Sequence, residues 1–225
     1  MKAVKRRRGE ASNALLAGLL VIAIGLGALV WIRRARAKPI WVGSRMAARA
    51  DHWRRFDNGR LVIGPPHARN TIVVFADFEC PACRYFANAV DSVRRADPTA
   101  LRVVFRHLPN PRHPLAFRAA KVAECGAAQG RFKQLHDALF AAQERLTDSI
   151  WPTLARDAGV PDVARFTLCL DQDSAANRAV AADSVAARTA RITATPTFLV
   201  NGLMFTGALG PTTLSAVLEG STARR

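Results

Sequence analysis

Acid and cysteine are scarce in this sequence, and it contains no internal repeat and no low-complexity tract. Without a repeat, solenoid and propeller architectures are excluded. Seventeen Asp and Glu face 33 Lys and Arg, a formal net charge of +16. An excess of that size suggests a polyanionic partner until its position is considered. Residues 1–38 hold nine basic residues and one acid, residues 39–70 six and two, and residues 71–225 eighteen and fourteen. The excess therefore sits at the N-terminal end. No dense patch interleaves basic and aromatic residues, so nucleic acid is not expected as a partner. Half of the 225 residues are hydrophobic, which excludes a disordered chain and suits one domain with attachments.

There are four cysteines, Cys80, Cys83, Cys125 and Cys169. The first two form Cys80-Pro81-Ala82-Cys83, preceded by the apolar run Thr71 to Phe78. The run is β-branched and aromatic and reads as a buried strand. It stops at a Cys-x-x-Cys whose proline stands where a helix begins. Thiols three residues apart on the first turn share a face and are close enough to bridge. A helix N-terminus favours negative charge, and so favours the thiolate of Cys80. A dithiol placed this way can exchange electrons with other thiols. Half of a zinc site and an inert structural bridge are the competing readings; the agreement of strand, turn, proline and helix favours redox chemistry.

Ala14 through Ile32 are nineteen residues without a charge. As a helix they span roughly 28 Å, about the thickness of a bilayer core. Basic residues flank both sides, and Trp31 stands at the exit, where an interfacial aromatic belongs. The stretch is longer than a signal-peptide core and arginines follow it at once, so an uncleaved anchor is expected. The other reading is cleavage at Ala35-Arg36-Ala37, which leaves a secreted or periplasmic protein. No cysteine lies near the stretch, which excludes a lipoprotein anchor. Flanking charge orients it only weakly, toward an inside N-terminus. Tethered dithiol proteins work in oxidising compartments, so residues 39–225 are expected outside the cytoplasmic membrane.

Residues 39–60 mix Trp41, Trp53 and Phe56 with arginines. They read either as a basic segment along the membrane surface or as a packed linker. Gly64-Pro65-Pro66 punctuates the chain before the first strand. Leu101 to Arg106 reads as a second strand. Amphipathic spacing then predicts helices over Pro114–Gln129, around Phe132–Phe140, and over Pro152–Ala158, Val163–Leu170 and Ser174–Ala190. Thr197–Val200 and Leu203–Phe205 flank Asn201-Gly202, a hairpin signal, and Pro211–Glu219 closes as a helix. His107 and His113 flank the exit of the second strand, within reach of the dithiol. His136 reads as a surface or packing residue on its helix, and no histidine is assigned a metal.

These pieces, in this order, resemble the DsbA-like branch of the thioredoxin superfamily. The resemblance rests on Asp77 through Cys83, Phe105-Arg106-His107-Leu108-Pro109, His113-Pro114-Leu115-Ala116, Ala123-Glu124-Cys125-Gly126, Phe166 to Leu170, and Thr195 through Gly202. It implies an α/β thioredoxin fold over residues 64–225 with a helical domain inserted at about 112–190. A basic tail (1–13), one N-terminal transmembrane helix (14–32) and a juxtamembrane linker (33–63) would precede it. It implies a catalytic pair, Cys80 and Cys83, faced by a cis-Pro196 whose neighbour Thr195 offers backbone to an extended substrate. It implies a structural disulfide between Cys125 and Cys169. A redox relay is the alternative for that pair, and a four-cysteine zinc site suits it poorly because Cys125 and Cys169 lack ligand spacing.

No cofactor beyond the redox-active disulfide is expected. The implied activity is thiol:disulfide exchange, as an oxidase acting on reduced extracytoplasmic proteins. Its expected partners are a quinone-linked membrane oxidase of the DsbB or vitamin-K-epoxide-reductase type, and membrane lipid along residues 14–32. A reductase or isomerase of the same fold is the second reading, and a tethered binding or chaperone module the third. Two departures stand out. Members of the superfamily carry a buried acid six residues before the first cysteine, where this chain has Val74. The motif interior is Pro81-Ala82, without the histidine that enteric members place there.

Overall fold

The computed structural model describes residues 19, 22–26, 28, 40–42, 45–50, 52–172 and 175–222. It divides into two units, Met1–Pro39 and Ile40–Arg225. In the first, residues 22–26 are helical. Most of the stretch 14–32, expected as an anchor, lies outside the described residues, as does the tail 1–13. Among the described residues no helix is long and apolar enough to cross a membrane.

The described part of the second unit is built on a mixed sheet of seven strands. They are β1 (Ile40–Val42), β2 (Arg45–Arg49), β3 (Val62–Ile63), β4 (Asn70–Ala76), β5 (Leu101–His107), β6 (Thr197–Val200) and β7 (Leu203–Thr206). The spatial order is β1-β2-β7-β6-β4-β5-β3. β4 and β5 run parallel, joined through helix α1 (Pro81–Ala96), and the other neighbours are antiparallel. Both faces of the central strands are buried, which is why they read as unbroken apolar runs. Ile72, Val74 and Ala76 of β4 enter the larger core with Val103, Phe105, Phe198 and Val200. Val73 and Phe75 point to a second core with Val104 and Leu199, the alternation a pleated strand imposes.

The β6–β7 hairpin turns at Asn201 (φ 49°) and Gly202 (φ 93°), the paired positive φ values a two-residue turn needs. A side chain on Gly202 would also meet the Trp53 indole at 2.6 Å.

The segment expected as a linker belongs to the fold. β1 and β2 form a hairpin that joins the sheet at β7. A 3-10 turn, Trp53–Phe56, then buries both its aromatics, with Phe56 edge-on to Phe75 at 5.2 Å. The two rings cap the second core, a role that the surrounding arginines hid in the sequence.

Among the described residues, five α-helices lie between β5 and β6: α2 (Ala116–Ala127), α3 (Phe132–Ala141), α4 (Trp151–Asp157), α5 (Val163–Asp171) and α6 (Ala175–Thr189). α7 (Pro211–Thr222) follows the hairpin. α2 and α3 approach closely at Gly126, where an added Cβ would fall 1.9 Å from Leu135. A disulfide joins Cys125 of α2 to Cys169 of α5.

The two bonded cysteines are 44 residues apart in sequence, a loop whose closure is worth about 4 kcal/mol in the chain-entropy view. Replacing both with Ser should lower the unfolding free energy by about that amount. A urea titration of the double variant against the parent checks it.

Candidate dithiol site

β4 runs out of the core at Ala76 and the chain turns through Asp77, Phe78 and Glu79 into α1. Cys80 is the N-cap of that helix, and Pro81 fills its first turn, where a missing N–H costs nothing. Cys83 falls on the buried stripe of α1 with Phe86, Ala89, Val90 and Val93. Both cysteines are free thiols in this structure. Cys80 retains 8% of its surface and Cys83 2%, so one helical turn separates an outer from an inner thiol.

The two sulfurs differ sharply in acidity. The hydrogen bond from the Cys83 thiol, aided by Thr195 and by the backbone N–H groups of Cys83 and Ala82, outweighs burial and lowers the Cys80 pKa to about 5. Burial, reinforced by the neighbouring Cys80, pushes the Cys83 thiol far above the ordinary range. The Thr195–Pro196 peptide is cis. The Thr195 carbonyl oxygen stands 3.5 Å from Cys80 Sγ, which brings residues 115 positions apart to one point.

The loop carrying the motif is held from three sides. Its own Asp77 is buried and accepts from Glu79 N–H at 2.8 Å, from Asn110 N–H at 2.9 Å and from His113 Nδ1 at 2.7 Å. The Asp77 N–H lies 3.5 Å from Cys83 Sγ. Glu79 accepts from the Leu115 N–H at 2.6 Å, just ahead of α2. From the 3-10 turn after α3, Gln143 Nε2 donates to the carbonyls of Phe78 (2.6 Å) and Cys80 (3.0 Å). Phe78 itself is sealed by Phe105 and Phe140. Asn110 and Gln143 carry no signal in the sequence; each is an ordinary polar loop residue until the chain folds.

The histidines separate. His113 reaches the dithiol loop through Asp77. His107 turns away and lies 3.2 Å from Glu124, with its N–H on Asp183. His107, Glu124 and Asp183 form the one group among the described residues able to offer three metal ligands. Arg60 already bridges both carboxylates at 2.7 and 2.9 Å, and Arg106 adds 2.9 Å to Asp183. Two guanidiniums on two carboxylates make this a charge-balanced tie between the sheet and helices α2 and α6, and a poor metal seat.

Residues 57–220 match the family model described as Thioredoxin. The chain is 35% identical to the Na(+)/H(+) antiporter NhaA 3 of Salinispora tropica, over 96% of this chain but 34% of that protein. It thus spans about a third of the length of the first curated relatives it matches. Among solved structures, Pseudomonas aeruginosa DsbA2 is 27% identical with a TM-score of 0.57, over 71% of this chain and 92% of that one. A periplasmic thioredoxin-like protein from Salmonella enterica serovar Typhimurium shares the fold at 23% identity and a TM-score of 0.66, over 76% and 95%.

Iodoacetamide should alkylate the reduced protein at Cys80 alone, with a rate midpoint near pH 5. The depressed acidity also sets a sign for stability. Cys80 is ionised in the fold but protonated in the unfolded chain between about pH 5 and its ordinary value near 8.5. Its contribution is therefore complete above that upper value and lost as pH falls through about 5. Reduced parent protein should lose more of its urea midpoint than Cys80→Ser between pH 7 and 4.

Proposed function

We propose that this chain, which belongs to the thioredoxin family and to its DsbA-like branch, is a thiol:disulfide oxidase for proteins outside the cytoplasm. The carrying observation is the asymmetry of the pair: a strongly stabilised Cys80 thiolate above a buried, protonated Cys83. Stabilising the thiolate stabilises the reduced form, and a dithiol whose reduced form is favoured is an oxidant. That argues for oxidase over reductase or isomerase.

In the oxidised protein, a substrate thiolate attacks Cys80 Sγ. The Cys80–Cys83 bond breaks, Cys83 leaves and is protonated, and a mixed disulfide forms. A second substrate thiolate then attacks the substrate sulfur of that bond. The substrate leaves as a disulfide, and Cys80 departs as a thiolate that needs no proton at neutral pH. Thr195, beside the Cys80 sulfur, supplies backbone for an extended substrate to pair with. Two electrons then pass to a quinone-linked membrane oxidase of the DsbB or vitamin-K-epoxide-reductase type, with one proton from Cys83 and one from solvent, and no other cofactor enters.

The periplasmic source of the Salmonella structure supports an extracytoplasmic placement. The uncharged stretch 14–32, flanked by basic residues, supports a single-pass anchor in the cytoplasmic membrane. Ion transport, in the names of the antiporter relatives, belongs to proteins of which this chain covers about a third, and it is not part of this reading.

Cys83→Ala should accumulate mixed disulfides through Cys80 with extracytoplasmic proteins, visible on non-reducing gels and absent from the Cys80→Ala, Cys83→Ala double variant. Thiol trapping in cells should find the parent pair mostly oxidised. A pair found mostly reduced reverses the direction of electron flow.

A further inference from the structure

An oxidase cycle of the kind just described, on which this inference rests, leaves one proton unexplained. Cys83 is buried, and its thiolate is held unfavourable by that burial. When the Cys80–Cys83 bond breaks, Cys83 must gain a proton from a group inside the protein. The position where the superfamily keeps a buried acid is Val74, which titrates nothing. Asp77 is close but engaged: its two oxygens already take three donors.

Behind Cys83 lies a cavity of about 260 Å³, lined by Cys83, Val74, Phe105, Phe140, His136 and Asp137 among others. It is large enough for water, and its polar lining offers the partners that buried water needs. His136 sits on α3, in the inserted helices, with its ring edge-on to Phe105 and Phe140 at 5.3 and 5.0 Å. Its Nδ1 lies 2.9 Å from the Asp137 carboxylate. Asp137 is kept ionised by His136 and by Lys133, which together outweigh its burial. A carboxylate on Nδ1 holds the proton there and leaves Nε2 as the exchanging nitrogen.

We propose that His136 is the proton donor to Cys83, acting through this cavity and taking the place of the acid absent at Val74. In the oxidising direction, imidazolium Nε2–H gives its proton by way of cavity water to Cys83 Sγ as the Cys80–Cys83 bond breaks. The electron pair of that bond stays on Cys83, and the substrate sulfur bonds to Cys80. In reoxidation the same nitrogen takes the proton back. The other charged groups facing this space are Arg84, Asp91 and Arg94 of α1. His107, on β5, lies across Phe105 and Phe78 and faces Glu124 instead.

The test mixes oxidised full-length chain with a reduced cysteine peptide in a single turnover and follows reduction of the pair by acid quench and thiol labelling. His136→Gln should slow exchange by roughly a hundredfold, the low end of proton-transfer effects. The variant should also lose any solvent deuterium effect on the rate. Cys80 alkylation in the reduced variant should keep the parent midpoint, which a general collapse of the site would not allow. Asp137→Asn, on the surface, should shift the rate in the same direction by less, and it carries the test if His136→Gln does not fold. A variant with the parent rate and isotope effect overturns the role of His136 alone. A parent chain with no exchange overturns the dithiol reading, and this inference with it.

Discussion

Everything in this site depends on one junction, where the central strand empties onto the N-terminus of α1. A single helical turn must hold one sulfur as a thiolate and the next as a buried thiol. Cys80 can ionise because it caps the helix, receives backbone N–H groups and has the Cys83 thiol as donor. Cys83 cannot, because the same turn carries it under the helix into the core. Nothing in the four motif residues supplies that difference by side-chain charge, since the motif interior is Pro-Ala. It comes from the backbone and from depth.

The surrounding structure keeps that junction from relaxing. Asp77 gathers three donors in the dithiol loop and the loop after β5, while Glu79 pins the approach to α2. Gln143 reaches in from the inserted helices to the loop carbonyls. The insertion is therefore part of the site, and the Cys125–Cys169 bond ties two of its helices together. The price of a closely held buried thiol is a proton with a difficult path, and the cavity shared by Cys83 and His136 lies where such a path is needed.

Much of this was legible in the residues. The apolar run ending at Cys-Pro-Ala-Cys shows β4 and α1, because buried strands and helix starts leave strong local patterns. Asn201-Gly202 shows the hairpin, because only certain residues take paired positive φ values. Residues 39–60 were harder. Their mix of arginines and aromatics left a membrane-surface segment and a packed linker equally open, while Trp53, Phe56 and the β1–β2 hairpin finish the sheet and its second core. Pairing with β7 is a contact across about 155 residues, and no local pattern announces it.

The sequence alone determined where the dithiol stands, that a helix begins there, and that the excess positive charge lies near the N-terminus. These are local properties, written in neighbouring residues. Only the tertiary structure decided which groups surround the sulfurs: Thr195 beside Cys80, Asp77 spent on loop donors, His107 drawn off to Glu124, and His136 brought to the cavity behind Cys83. Each of those depends on contacts between residues far apart in the chain. Electrostatics at a buried sulfur is set by what folding brings within a few ångströms of it.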